Sequence, residues 1–247
     1  MATEKGRAAG RRVAWVTGAS GSLGPAIALS FARNGYDLVL QARRDRSALQ
    51  KLTHEAEALG ARVAWLFTDL SSPSAAPSLA ARAQKVFGRL DALVNSASEF
   101  SPTPRGGRLA TWDRLFHLNA VTPYLLARET AAKMGSQGGC VINLVDSYVD
   151  LPVLRDHAAY LASKSALATL TRVLAMELAP RVRVNAVSPG PITLPSGFGA
   201  SRRKRIAQQC LLRKAGCPQD VGEAVWFLSQ ASSITGQVLR VDGGRFV

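Results

Sequence analysis

Val13-Ala14-Trp15-Val16-Thr17-Gly18-Ala19-Ser20-Gly21-Ser22-Leu23-Gly24 is the stretch that decides the fold. A short apolar run ends in a glycine-rich turn, and apolar residues at helical spacing follow from Leu23 to Asn34, where Asn34-Gly35 stops them. Glycines in such a turn let phosphate groups approach the backbone. The helix that follows offers unpaired N–H groups and the positive end of its dipole. A lone glycine-rich turn is a weak signal. Placed after the first strand of an alternating chain, it points to a dinucleotide.

Outward from it the alternation continues. Asp37 to Gln41 reads as a strand, Ser47 to Leu59 as a helix stopped by Gly60, and Arg62 to Phe67 as a third strand. A helix from about Ala75 to Phe87 stops at Gly88, and Asp91 to Val94 makes a fourth strand. Leu109 to Met134 reads as one long helix kinked at Pro123, Val141 to Val145 as a fifth strand, and Ala158 to Pro180 as another helix. Arg181 to Val187, a late helix Val221 to Leu228 and a seventh strand Gln237 to Val241 complete the chain. Strands and helices in this rhythm predict an α/β fold: one Rossmann-type, doubly wound parallel sheet of about seven strands with helices on both faces. No internal repeat or linker divides residues 12–247, and Met1 to Arg11 reads as a loose basic tail, not a secretory signal.

Composition narrows the function classes. The 247 residues suffice for one large domain, and 47% hydrophobic with 19% charged residues is ordinary for a globular protein. No apolar run of about 18 residues is present, so no membrane span is expected. Cys140, Cys210 and Cys217 show no metal-like spacing and are odd in number, which fits a reduced, cytoplasmic protein. The net charge of +14 includes the cluster Arg202-Arg203-Lys204-Arg205. Without an aromatic-rich basic strand, zinc spacing or recognition-helix pattern, it reads as a solvated surface or as steering for an anion, not as a nucleic-acid site.

Candidate site residues lie where the predicted strands end, since a doubly wound sheet binds ligands outside its carboxyl edge. After the second strand the chain reads Gln41-Ala42-Arg43-Arg44. An acid there would hold two ribose hydroxyls, whereas a guanidinium pairs with a 2′-phosphate, so NADP is expected over NAD. Asn95-Ser96-Ala97-Ser98-Glu99-Phe100 follows the fourth strand. Its small residues would let a flat ring approach, and Phe100 either stacks on that ring or is a core aromatic. Asp146 and Ser147 follow the fifth strand, and Asp146 is either a site carboxylate or a turn cap. Tyr160 and Lys164 stand one helical turn apart, so the ammonium is expected to lower the pKa of the phenol for proton transfer. The plain alternative is a Tyr and a Lys sharing a solvated face.

The glycine turn after Thr17, Asn95, Asn119, Tyr160-x-x-x-Lys164, Pro189-Gly190 and the closing Val241-Asp242-Gly243-Gly244, in this order, resemble the short-chain dehydrogenase/reductase family over nearly the whole chain. Within it, Asn95 to Pro104, Asn119 to Tyr124 and Asp146 are similar to the pteridine reductases and the bacterial dihydromonapterin/dihydrofolate reductases, which carry aspartate where most of the family has a catalytic serine. Ser22 departs from the arginine that pteridine reductases have, Gly21 and Ser22 are in swapped order, and Asp146 lies one residue further from Tyr160 than is usual. Ser147 is therefore the alternative occupant of the serine place.

The resemblance implies an NADPH-dependent reductase. Gly18, Ser20, Ser22, Leu23 and Gly24 would cradle the pyrophosphate, Arg43 and Arg44 the 2′-phosphate, and Asp69 and Leu70 the adenine. Asn95, Ala97, Pro189, Gly190 and Ile192 would also bind the cofactor, and Thr193 would touch its nicotinamide-side phosphate. Lys164 would bond the ribose, Asn119 would hold a water leading to solvent, and Tyr160 would be the proton donor, completed by Asp146. Ser98, Phe100, Asp146, Ser147 and Tyr160 would meet the substrate. Residues from about 190 to 209 would cover it as a lid, whose Arg202 to Arg205 would face solvent or an anionic substrate tail such as a glutamate, and the subunits would form a homotetramer. The expected substrate is a pterin-like ring with C=N bonds. The alternatives are a ketone, such as a 3-oxoacyl thioester or polyketide, and a non-catalytic NADP-binding regulator.

Overall fold

In the computed structural model, residues 10–103, 108–149, 154–193 and 197–246 are described. Seven strands form one parallel sheet: β1 (Val13–Thr17), β2 (Asp37–Ala42), β3 (Val63–Phe67), β4 (Ala92–Asn95), β5 (Gly139–Leu144), β6 (Val182–Pro189) and β7 (Val238–Val241). Their order is β3-β2-β1-β4-β5-β6-β7, so the chain returns from the β3 edge to pair β4 with β1. That reversal opens a crevice above the carboxyl ends of β1 and β4.

The helices cover both faces because strand side chains alternate. Ala14 and Val16 of β1 face a core shared with Ile27 and Phe31 of α1 (Gly24–Arg33), Leu49 of α2 (Arg46–Ala58) and Val225 of α8 (Pro218–Gln230). Val13 and Trp15 face the opposite core, with Leu79 of α3 (Ala76–Phe87), Leu126 of α5 (Thr122–Ala131) and Leu174 of α6 (Ala158–Leu178). Every residue of β1 is buried, the mark of a strand covered on two sides.

The expected single helix from Leu109 to Met134 is a corrected one. α4 (Leu109–Phe116) runs into a widened π-type turn over His117–Val121 before α5 begins at Thr122. Pro123 has no N–H to give to the carbonyl four residues back, that of Asn119, so the turn widens there. The segment ends at Ala131, short of Met134. Gly10 and Arg11 are likewise held to the body. Arg89 donates to the Gly10 carbonyl at 2.9 Å and Arg11 to the Gly35 carbonyl at 3.1 Å, while residues 1–9 of the expected tail lie outside the described residues. Among the described residues no helix is long and apolar enough to cross a membrane.

Candidate active site

A cavity of about 910 Å³ opens over the carboxyl edge of the sheet, with the glycine turn at one side and Asp146, Tyr160 and Lys164 at another. The turn is built for close approach. Gly18 has φ +62°, and a Cβ there would stand 2.6 Å from the Cα of Ala97. Beneath it Gln41, buried between strand tips, accepts from Gly18 N at 3.0 Å and donates to the Thr68 carbonyl at 2.8 Å. The Thr17 hydroxyl accepts from Ser96 N and Ala97 N, tying the ends of β1 and β4 together. α1 begins at Gly24 with no side-chain cap and no acid in its first turn, which leaves its N–H groups and dipole for an anion. These features fit a dinucleotide. Gly18→Ala places an ordinary residue at positive φ, costing about 1–2 kcal/mol, and adds the clash with Ala97. A melting temperature lowered by about 5 °C is expected, with NADPH no longer raising it as in the parent. An unchanged melt with full cofactor protection overturns this account of the turn.

Gly18, Ser20, Ser22, Leu23, Arg43, Asp69, Leu70 and Ala97 all line the cavity, as do Pro189, Gly190, Ile192 and Thr193. The Thr193 hydroxyl lies 3.3 Å from that of Ser22, joining the loop after β6 to the glycine turn. Asp69 accepts from the backbone N and hydroxyl of Ser71, which hold its carboxyl below the usual range, with Arg43 and Arg44 adding to the effect.

Several expected site residues stand back from the cavity. Gly24 lies under the turn, where a Cβ would meet the Ala19 carbonyl oxygen at 2.5 Å, and Arg44 is outside the lining. Asn95 is buried, donating to Asn143 Oδ1 at 2.9 Å and to the Pro123 carbonyl at 3.2 Å. Asn119 is also fully buried. Its Oδ1 accepts from Ser98 Oγ and Glu99 N, and its Nδ2 donates to Ser163 Oγ, so its side chain pins the loop after β4 to α6.

Tyr160 and Asp146 meet directly, the phenol donating to Asp146 Oδ2 at 2.6 Å. The other carboxyl oxygen accepts from Tyr148 N at 2.9 Å, within the short 3-10 turn Ser147–Val149. That turn directs Ser147 inward. Its hydroxyl is buried without a partner among the described residues and does not line the cavity, so of the two it is Asp146 that faces Tyr160. Phe100 packs edge-on against Tyr160 at 4.9 Å and stacks on His157 at 4.3 Å, while remaining 57% exposed at the cavity mouth.

The electrostatics reverse one expectation. Burial and the facing Asp146 push the Tyr160 phenol well above its ordinary value instead of lowering it. Lys164 is fully buried and donates to the Leu144 carbonyl at 2.7 Å. Burial brings its pKa down to about 8, opposed by Asp146. Burial raises the Asp146 carboxyl, against the hydrogen bonds from Tyr160 and Tyr148 and the charges of Lys164 and Arg245. In this arrangement the phenol is held protonated, ready to give a proton.

The structure also brings in residues the sequence did not mark. Gln41, Glu99 with its ion-pair partner Arg114, Tyr148, Leu154 and Arg245 line the cavity, and of the basic cluster that the sequence left open between solvent and an anion, Arg202 and Arg205 line it too. Within the expected lid, α7 (Ala200–Gln208) forms one wall, and residues 194–196 lie outside the described residues.

A parallel doubly wound sheet with a glycine-turn crevice, a buried Tyr/Lys pair and a partnering carboxylate defines a nucleotide-dependent oxidoreductase architecture. Residues 18–245 match the family model described as enoyl-(acyl carrier protein) reductase. The chain is 36% identical over 245 residues to an uncharacterised oxidoreductase of Mycobacterium tuberculosis (strain CDC 1551 / Oshkosh), covering 94% of this chain and 91% of that protein. It is 34% identical to a Streptomyces violaceoruber protein of the granaticin polyketide synthase assigned as a ketoacyl reductase, covering 94% and 95%. Among solved structures, FolM alternative dihydrofolate reductase 1 from Brucella canis, complexed with NADP, superposes with a TM-score of 0.86 at 30% identity. That match covers 95% of this chain and 93% of that one. The chain belongs to the short-chain dehydrogenase/reductase family and is an oxidoreductase.

Proposed function

We propose that this protein is an NADPH-dependent reductase of a pterin-like ring, adding hydride across a C=N bond with Tyr160 as the proton donor. The observation that carries the reading is the 2.6 Å hydrogen bond from Tyr160 to Asp146 on the cavity wall. A carboxylate beside a developing alkoxide is unfavourable, whereas it readily accepts N–H groups of a nitrogen heterocycle. The Brucella neighbour, named for dihydrofolate reduction and complexed with NADP, supports both the substrate class and the cofactor.

Bound NADPH supplies the hydride. Lys164 would hold its ribose and Arg43 its 2′-phosphate, and the uncapped start of α1 would receive the pyrophosphate. Phe100, exposed at the cavity mouth, offers its face to the flat ring. Tyr160 turns its hydroxyl from Asp146 to the ring nitrogen and transfers its proton, so that C=N becomes CH–NH. Asp146, released from the phenol, accepts a ring N–H and fixes the ring's orientation. Homotetramer assembly fits the apolar surface on two helices, Leu109 of α4 and Met176 of α6, both about three-quarters exposed.

The Streptomyces relative favours a second reading, reduction of a ketone on a 3-oxoacyl thioester or polyketide. Loss of reduced-nicotinamide absorbance, followed with dihydrobiopterin, dihydrofolate and an acetoacetyl thioester, separates the two. Turnover of a pterin is expected, and turnover of the thioester alone overturns the leading reading. Replacing Arg43 by Asp is expected to lower kcat/KM for NADPH about tenfold or more while sparing NADH. Equal losses with both cofactors sink the 2′-phosphate role.

A further inference from the structure

One end of the cavity carries more positive charge than the cofactor accounts for. Arg202, Arg205, Ile206 and Gln209 recur at helical spacing and all line the cavity, so a single face of α7 and its C-terminal cap is turned inward. The neighbouring Arg203 and Lys204 are outside the lining. The basic cluster is therefore not uniform, and two of its four charges are aimed at the ligand space. Arg245, returning after β7, joins them. It donates to Gln209 Oε1 at 2.8 Å, and its guanidinium lies 5.1 Å from the Tyr148 ring centroid.

None of these three guanidiniums forms an ion pair with a carboxylate among the described residues, although the charge of Arg245 reaches Asp146 and acts to lower its carboxyl. Of the acids lining the cavity, Glu99 is taken by Arg114, Asp69 lies with Arg43 and Arg44, and Asp146 is bonded to Tyr160. The Arg202 guanidinium carbon lies 3.6 Å from the centroid of the Phe198 ring, which also lines the cavity. Arg43, which follows β2, is the residue proposed above for the cofactor's 2′-phosphate.

We propose that Arg202 and Arg205 of α7, with Arg245, form an anion subsite that selects substrates bearing a carboxylate or phosphate on the side chain attached to the reacting ring. For the identity of that ring the proposal rests on the function proposed above; the anion subsite stands apart from it. Planar guanidiniums suit both oxyanions, binding each through paired N–H donors. In this arrangement Asp146 and Tyr160 read the ring, and α7 reads the tail as it closes the cavity.

The test compares matched substrates that differ in charge: dihydrofolate against dihydrobiopterin, and a 3-oxo acid against its methyl ester, with NADPH. The Arg202→Gln/Arg205→Gln double variant changes only exposed positions on α7. For whichever pair is reduced, the parent is expected to prefer the charged member. The double variant should lose at least about tenfold of that preference in kcat/KM, with the neutral member and the NADPH dissociation constant unchanged. Added salt should erode the preference in the parent and have little effect in the variant. Calorimetric titration of folate and biopterin into the NADP-loaded protein gives the same comparison without turnover. A parent that handles charged and neutral members alike in kcat/KM and in binding overturns the subsite. So does a double variant whose main loss is in NADPH affinity, since the arginines would then belong to the cofactor. Reduction of the 3-oxo acid with both pterins inert overturns the pterin reading and leaves the subsite standing.

Discussion

Tyr160→Phe is expected to reduce turnover by about three orders of magnitude, within the range that general-acid catalysis contributes, while NADPH still binds. The phenol is 5% exposed, and among the described residues its hydroxyl bonds to Asp146 alone, so the variant loses that polar contact and keeps the ring's packing against Phe100. Burial and Asp146 hold the proton on Tyr160. The phenol therefore carries the proton that the donor role requires, and because a raised pKa makes it a weaker acid, the charge developing on the ring nitrogen has to draw that proton off. Rapid-mixing measurement of hydride transfer checks this: the step should slow while the cofactor dissociation constant stays near the parent value. Turnover within tenfold of the parent would mean that the proton comes from Asp146 or from water, and the role given to Tyr160 would be wrong.

Asp146→Ser should divide the two substrate readings. Pterin reduction is expected to fall by about two orders of magnitude, because serine cannot offer the ring N–H groups an anionic acceptor. Ketone reduction should hold or improve, because serine can donate a hydrogen bond to a forming alkoxide and carries no charge to repel it. The pH profile gives an independent readout. The Asp146 carboxyl is held above its ordinary value, chiefly by burial, and the proposed role needs its ionised form. Pterin turnover should therefore fall as pH drops through that raised value, and the serine variant should lack this acid limb. If ketone and pterin turnover fall in parallel, Asp146 maintains the site's shape and does not choose the substrate.

Much of this could be read from local pattern. The strand–turn–helix at Val13 to Asn34, the alternation that followed it, and Tyr160 and Lys164 one turn apart depend on backbone periodicity and on glycine's freedom at Gly18. Those are properties of short stretches. Arg43 in place of an acid after β2 was legible for the same reason. The helix expected from Leu109 to Met134 with a kink at Pro123 ends early, at Ala131, and is interrupted by a widened turn just before that proline, where the side chain of Asn119 is buried. Competition between a missing N–H and long-range hydrogen bonds to Ser98 and Ser163 has no sequence period.

What the sequence by itself determined was the class of fold, the crevice and the pair of residues at its centre. Only the tertiary structure decided between Asp146 and Ser147, since one 3-10 turn sends the carboxylate toward Tyr160 and the hydroxyl into the core. It also reversed the expected effect on the phenol, because burial and a facing carboxylate outweigh an ammonium engaged with the Leu144 carbonyl. And it lined one cavity with Arg202, Arg205 and Arg245, where the sequence left the basic run open between solvent and an anion. Periodicity says which residues share a face of their own element. Which faces meet across the sheet is settled by packing between segments far apart in the chain, and there the charges of the site are set.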